Sequence, residues 1–117
     1  MNTTTNQTET GTDSQQVAET ILQQINAGDF WARARWGVKT ALSTERHGAP
    51  ALMLNCTKGI KIIVRLNAND TYDVEVGRMG RGVERFDYKV AAEASEVYAE
   101  DLARVIDLTF SEAFGSL

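Results

Sequence analysis

The sequence predicts an α+β fold, an antiparallel meander of four to five strands flanked by an N-terminal and a C-terminal helix packed on one face. Three observations carry this. Apolar residues recur at helical spacing near both ends, and apolar and polar residues alternate through the middle. Nowhere does a strand pattern pass through a helix into a second strand, as a parallel sheet would need.

Residues 1–12 are almost wholly polar and cannot bury enough surface to offset the entropy of ordering, so a disordered tail is expected ahead of a single domain over 13–117. Asp13 or Ser14 caps a first helix over residues 14–27, with Gln16 at capping-box spacing from Asp13. Val17, Ile21, Leu22 and Ile25 form its apolar stripe, and Gly28 stands where a helix-ending glycine belongs. Residues 36–43 read as the first strand, and residues 46–50, with Gly48 and the only proline, read as a turn. Leu52, Leu54 and Cys56 mark the second strand and Lys58-Gly59 the next turn. Alternation resumes at Ile60, Ile62, Val64 and Leu66, then at Tyr72, Val74 and Val76, and again at Phe86, Tyr88 and Val90. A closing helix from about Ser95 would bury Tyr98, Leu102, Val105, Ile106 and Phe110.

Register follows for the third and fourth strands. A three-residue loop at 68–70 sets Leu66 opposite Tyr72, Arg65 opposite Asp73 and Val64 opposite Val74, so the apolar faces coincide. A two-residue loop would place Asp73 against Val64 on the core face, at the cost of an unpartnered buried charge. Asp73 and Glu75 share the outer face, where Arg65 and Lys89 are the expected ion-pair partners.

The chain of 117 residues fits one domain, and 43% apolar residues are enough for a core without staples. Cys56 is the only cysteine, which excludes an intrachain disulfide and favours a reducing compartment. No basic-then-apolar leader opens the chain and no apolar run approaches membrane-spanning length, so the expectation is a cytoplasmic protein without membrane contact. The net charge of −4 is segregated: residues 1–32 carry four acids and no base, residues 33–89 eleven bases and six acids, and residues 90–117 six acids and one base. An acidic total opposes a simple nucleic-acid coat, whereas the basic middle could hold a polyanion or be neutralised by the acidic ends.

Catalytic residues are sparse. One histidine, His47, rules out a two-histidine metal site, and neither a metal nor a cofactor is expected. A Cys56–His47 dyad is conceivable across the hairpin, but Cys56 shares the face of Leu52 and Leu54 and reads as an inert buried thiol. Gly77, Gly80 and Gly82 lack the following helix and Gly-Lys-Ser/Thr of a phosphate loop. Two binding candidates stand out. In residues 30–36 both tryptophans flank two arginines, and an extended backbone would put Trp31, Arg33 and Arg35 on one face with Trp36 opposite. Such residues anchor interfaces and also grip single-stranded bases, although Phe30 and Trp36 could equally seal the core with the arginines covering acidic helix ends. The second is a cationic hairpin tip with Arg78, Arg81 and Arg85 among glycines.

The segments LNANDTYDVEVGR (residues 66–78) and EVYAEDL (residues 96–102), with the final Gly115-Ser116-Leu117, resemble a family of small proteins from bacteriophages and other mobile elements. Gly37-Val38-Lys39 corresponds to a Gly-Lys-type step of that family, and the similarity is close over 60–117 and looser before. The resemblance implies a phage or mobile-element setting and no activity, substrate or catalytic residue. The expected function is that of a non-enzymatic accessory protein binding a host or phage protein. The alternatives are a single-strand nucleic-acid binder using Trp31, Arg33, Arg35 and the arginine hairpin, and a small enzyme.

Overall fold

In a computed structural model the described residues are 5–80 and 88–115, with side chains described from Ser14 onward in the first helix. Helix α1 (Thr5–Gly28) leads through a short helix α2 (Ala32–Trp36) into five strands, β1 (Val38–Arg46), β2 (Ala49–Cys56), β3 (Ile60–Leu66), β4 (Tyr72–Met79) and β5 (Tyr88–Val97). A 3-10 turn at Ala99–Asp101 then starts helix α3 (Leu102–Phe114). The strands form one antiparallel sheet in the order β1-β2-β3-β4-β5. Helix α1 packs across β1 and β2, α3 packs across β4 and β5, and the two helices touch, which is the expected α+β class with both helices on one face.

Alternation decides which side chains meet the helices. Leu52 and Leu54 of β2, Ile62 and Val64 of β3, and Val74 and Val76 of β4 close on Ile21 and Ile25 of α1 and on Leu102 and Ile106 of α3, all buried. The expected register is present, with Leu66 opposite Tyr72, Arg65 opposite Asp73 and Val64 opposite Val74. Asn67 organises the connecting loop: its Oδ1 accepts the Asn69 N–H at 2.8 Å and the Thr71 N–H at 3.2 Å. Arg65 and Asp73 form the expected cross-strand ion pair.

Several boundaries differ from the sequence-based expectation. The first helix starts at Thr5 rather than near residue 14, because a helix nucleated by its packed part extends at the cost of one ordered residue per added bond. Gly28 is the last residue of α1 and not a left-handed cap; a Cβ there would lie 3.2 Å from Ala103 Cβ, so the missing side chain lets α1 and α3 approach. The first strand begins at Val38, after a helical turn over 32–36 that Gly37 ends in the left-handed region. The β1–β2 turn is confined to His47-Gly48, and Pro50 lies inside β2 opposite Glu45.

The largest difference lies in the fifth strand. β5 runs to Val97, through the segment expected to start the closing helix, and α3 begins only at Leu102. Tyr98, expected in the buried stripe, is 60% exposed. Ala91, Ala92 and Ala94 favour helix intrinsically, but pairing with β4 supplies tertiary contacts that outweigh a few tenths of a kcal/mol per residue, of order. Phe86 and the start expected for this strand lie outside the described residues. Gly77 shows how tightly β5 sits: a Cβ there would be 2.3 Å from the Lys89 carbonyl oxygen and 2.7 Å from the Tyr88 ring.

Candidate functional site

The tryptophan–arginine segment is helical where an extended backbone was expected. Alanine and arginine are among the best helix formers, and the segment is started by Asp29, whose Oδ1 accepts the Trp31 N–H at 3.1 Å and whose carbonyl accepts the Ala32 N–H at 3.1 Å. Helical spacing regroups the candidates. Trp31 and Arg35 are now one turn apart, while Arg33 turns back to donate from Nε to Asn26 Oδ1 at 3.1 Å. Trp31 is 69% exposed and meets Phe30, equally exposed, edge to face at 5.3 Å. Trp36 is 2% exposed, and its indole N–H donates to Asp107 Oδ1 at 2.7 Å. Trp36 therefore seals the core by itself, without Phe30.

Arg35 ties the charge segments together. Its guanidinium lies 2.7 Å from Asp29 at the end of α1 and 3.2 Å from Asp107 on α3, so a base of the middle segment bridges an acid from each acidic end. The Arg35 hydrogen bond, with the Trp31 N–H, holds the Asp29 carboxyl below its ordinary range, and the same Asp29 bond raises Arg35. Both side chains are about one-third exposed, so solvent screens the pair and its contribution to stability is small.

The fold brings one residue of each sequence candidate, Arg35 and Arg78, to the same cleft. Arg78 lies in β4, not in a hairpin tip, and lines a cleft of about 290 Å3 together with Arg35, Lys58, Trp36, Phe110 and Phe114. The Arg78 guanidinium stacks 4.7 Å from the centre of the Phe114 ring, and its buried Nε has no hydrogen-bond partner among the described residues. Lys58 projects from the β2–β3 connection with φ of +64°, exposed and without an ion pair among the described residues. Three cations thus surround an aromatic floor, and only Arg35 is matched by carboxylates among the described residues. Such a site accepts an anionic group attached to an apolar or planar body. Arg81 and Arg85 lie outside the described residues.

Sequence reasoning missed Lys58 and Phe114 as members of this cleft and Asp107 as the partner of Arg35. Lys58-Gly59 was legible only as a turn, and nothing local marks residues from α3 as neighbours of Arg35.

A second charged cluster occupies the sheet face away from the helices. Glu75 was expected to pair with Arg65 or Lys89; instead Arg46, at the end of β1, grips it, with Nε at 3.1 and 3.2 Å from the two carboxylate oxygens and a terminal nitrogen at 2.9 Å. Register explains the change, since Glu75 faces Ile63 on one side and Glu93 on the other, while Lys89 faces Arg78. His47 Nε2 is 3.5 Å from the same carboxylate, and the Arg46 guanidinium lies 5.3 Å from the Tyr88 ring centre. Burial, followed by the Glu75 charge, pushes the Tyr88 hydroxyl up to about 12. This cluster reads as a largely buried structural ion pair on the face away from the helices.

Cys56 is buried in the core, as expected, and burial pushes its thiol up to about 11. Among the described residues no group of three or more His, Cys, Asp or Glu side chains could hold a metal ion, and no helix is long and apolar enough to cross a membrane. No family model, curated protein or solved structure matches the chain.

Proposed function

We propose that this chain is a non-enzymatic accessory protein, of a phage or other mobile element and working in the cytoplasm, that binds an acidic segment of a macromolecular partner through the cleft between α2, β4 and α3. One observation carries the reading: Arg35, Lys58 and Arg78 converge on the floor of Trp36, Phe110 and Phe114, with two of the three cations lacking carboxylates among the described residues. A cation stacked on a ring is an anchor that keeps its charge while losing little freedom on binding. The phage setting rests on the sequence resemblance alone.

The exposed Phe30–Trp31 pair beside Arg35 favours a second reading, a stacking platform for single-stranded nucleic acid. Titration of tryptophan fluorescence with an acidic peptide and with an oligothymidylate, each across a salt series, separates the two. The leading reading expects saturable binding of the peptide that Arg78→Ala and Lys58→Ala abolish. Quenching by the oligonucleotide alone, lost in Trp31→Phe, would establish the second reading and sink the first.

A further inference from the structure

The two edges of the sheet differ. β5 is blunted by register irregularities near Ala91 and at Ser95-Glu96, and carries Glu93 and Glu96. β1 has one irregularity, at Lys39, and residues 40–46 then run in unbroken register with β2. The stretch Thr40–Thr44 has no charge, and Leu42 at its centre is 47% exposed. An edge of this length without such protection offers a template for pairing with another strand.

The register specifies the partner. On the face away from the helices, Ile63 lies opposite Met53, and Met53 opposite Leu42, so an apolar row crosses three strands and ends in solvent at the sheet edge. We infer that a second copy of this chain pairs antiparallel with β1 about a two-fold axis through Leu42, continuing the sheet to ten strands. In that register Leu42 meets its own counterpart, and the row becomes Ile63, Met53 and Leu42 followed by the same three residues reversed. Lys39 of each copy, at the irregularity where this register ends, comes near Glu45 of the other. Neither has an ion-pair partner among the described residues, and centring the axis on Ala41 or Ser43 would not bring them together.

Backbone parity agrees. The two-residue turn at His47-Gly48, both at positive φ, closes on the pair Arg46 and Ala49. Alternation then directs the N–H and C=O groups of Thr44, Leu42 and Thr40 to β2 and those of Glu45, Ser43 and Ala41 outward. About the proposed axis, Ala41 of one copy exchanges both bonds with Ser43 of the other. On the helix side, a groove of about 230 Å3 whose lining mixes Ala18, Leu22 and Leu52 with Gln15, Glu19 and Ser43 runs beside the same edge, and the two-fold places both grooves next to each other.

Sedimentation velocity over a concentration series tests this independently of the cleft. The expected result is a reversible dimer whose dissociation constant rises at least about tenfold in Leu42→Lys, which sets like charges opposite each other. Lys39→Glu and Glu45→Lys should each weaken it, and the double charge reversal should restore it. That rescue needs only exposed residues and so does not depend on Leu42→Lys folding. Amide exchange at Ala41 and Ser43 should slow with protein concentration. A protein monomeric at all concentrations, a dimer indifferent to Leu42→Lys, or charge reversals that do not compensate would overturn the inference.

Discussion

Trp31 and Trp36 show how one segment can be divided between folding and binding. They are five residues apart, yet one is 69% and the other 2% exposed, because α2 turns Trp36 into the core and leaves Trp31 at its solvent start. Trp36→Ala should cost about 3–5 kcal/mol in equilibrium urea denaturation, as truncation of a core aromatic does, with the Asp107 hydrogen bond lost as well. Trp31→Ala should shift stability by less than about 0.5 kcal/mol. The reverse order would place the core on the other side of α2. At Glu75 the same reasoning concerns charge: the residue is 8% exposed and relies on Arg46. Arg46→Ala should destabilise by about 3 kcal/mol, because it strands a buried carboxylate, and more than Glu75→Gln, which removes that charge. Equal losses in the two variants, measured by the same denaturation, would show that the carboxylate is already solvated.

Elements were legible in proportion to how strongly their own periodicity matched their burial. β3 and β4 alternate except at the buried Ile63 and Glu75, and the loop at 68–70 followed from matching their apolar faces; α3 kept its stripe of Leu102, Ile106 and Phe110. The stretch 88–97 was not legible as one strand, since its alanines and glutamates carry a helical preference that only β4 overrules. Leu102→Ala should therefore cost about 2–5 kcal/mol, while Tyr98→Ala, just past the end of β5, should be nearly neutral. Paired thermal melts of the two variants check the boundary. A large loss at Tyr98 would restore it to the buried stripe.

Across the whole molecule, burial of weak acids couples stability to alkaline pH. The Cys56 thiol is raised from 9.0 to about 11 and the Tyr88 hydroxyl from 10.0 to about 12, so the native chain keeps protons that the unfolded chain releases. A raised folded value gives stability that is complete below the unfolded value and is lost as pH rises toward the folded one. Unfolding free energy should accordingly fall between pH 9 and 11 for the thiol, and between pH 10 and 12 for the phenol, by up to about 1.4 kcal/mol per pH unit for each group. Denaturation under reducing conditions at several alkaline pH values measures the slope. It should be shallower in Cys56→Val, and equal slopes in the two proteins would mean that the thiol is not desolvated.

By itself the sequence determined the class of fold, the faces of its central strands, the register of β3 with β4 and the burial of Cys56, all of which follow from residues close in the chain. It also singled out Trp31, Arg35 and Arg78, without indicating that the last two line one cleft. Tertiary structure decided the rest. Arg35 adds Asp107, across 72 residues, to its neighbour Asp29, and Arg46 finds Glu75 across 29. Local periodicity tells which way a side chain points from its own element, but ion pairs, cleft walls and the competition between helix and strand at 88–97 depend on what the folded chain places opposite.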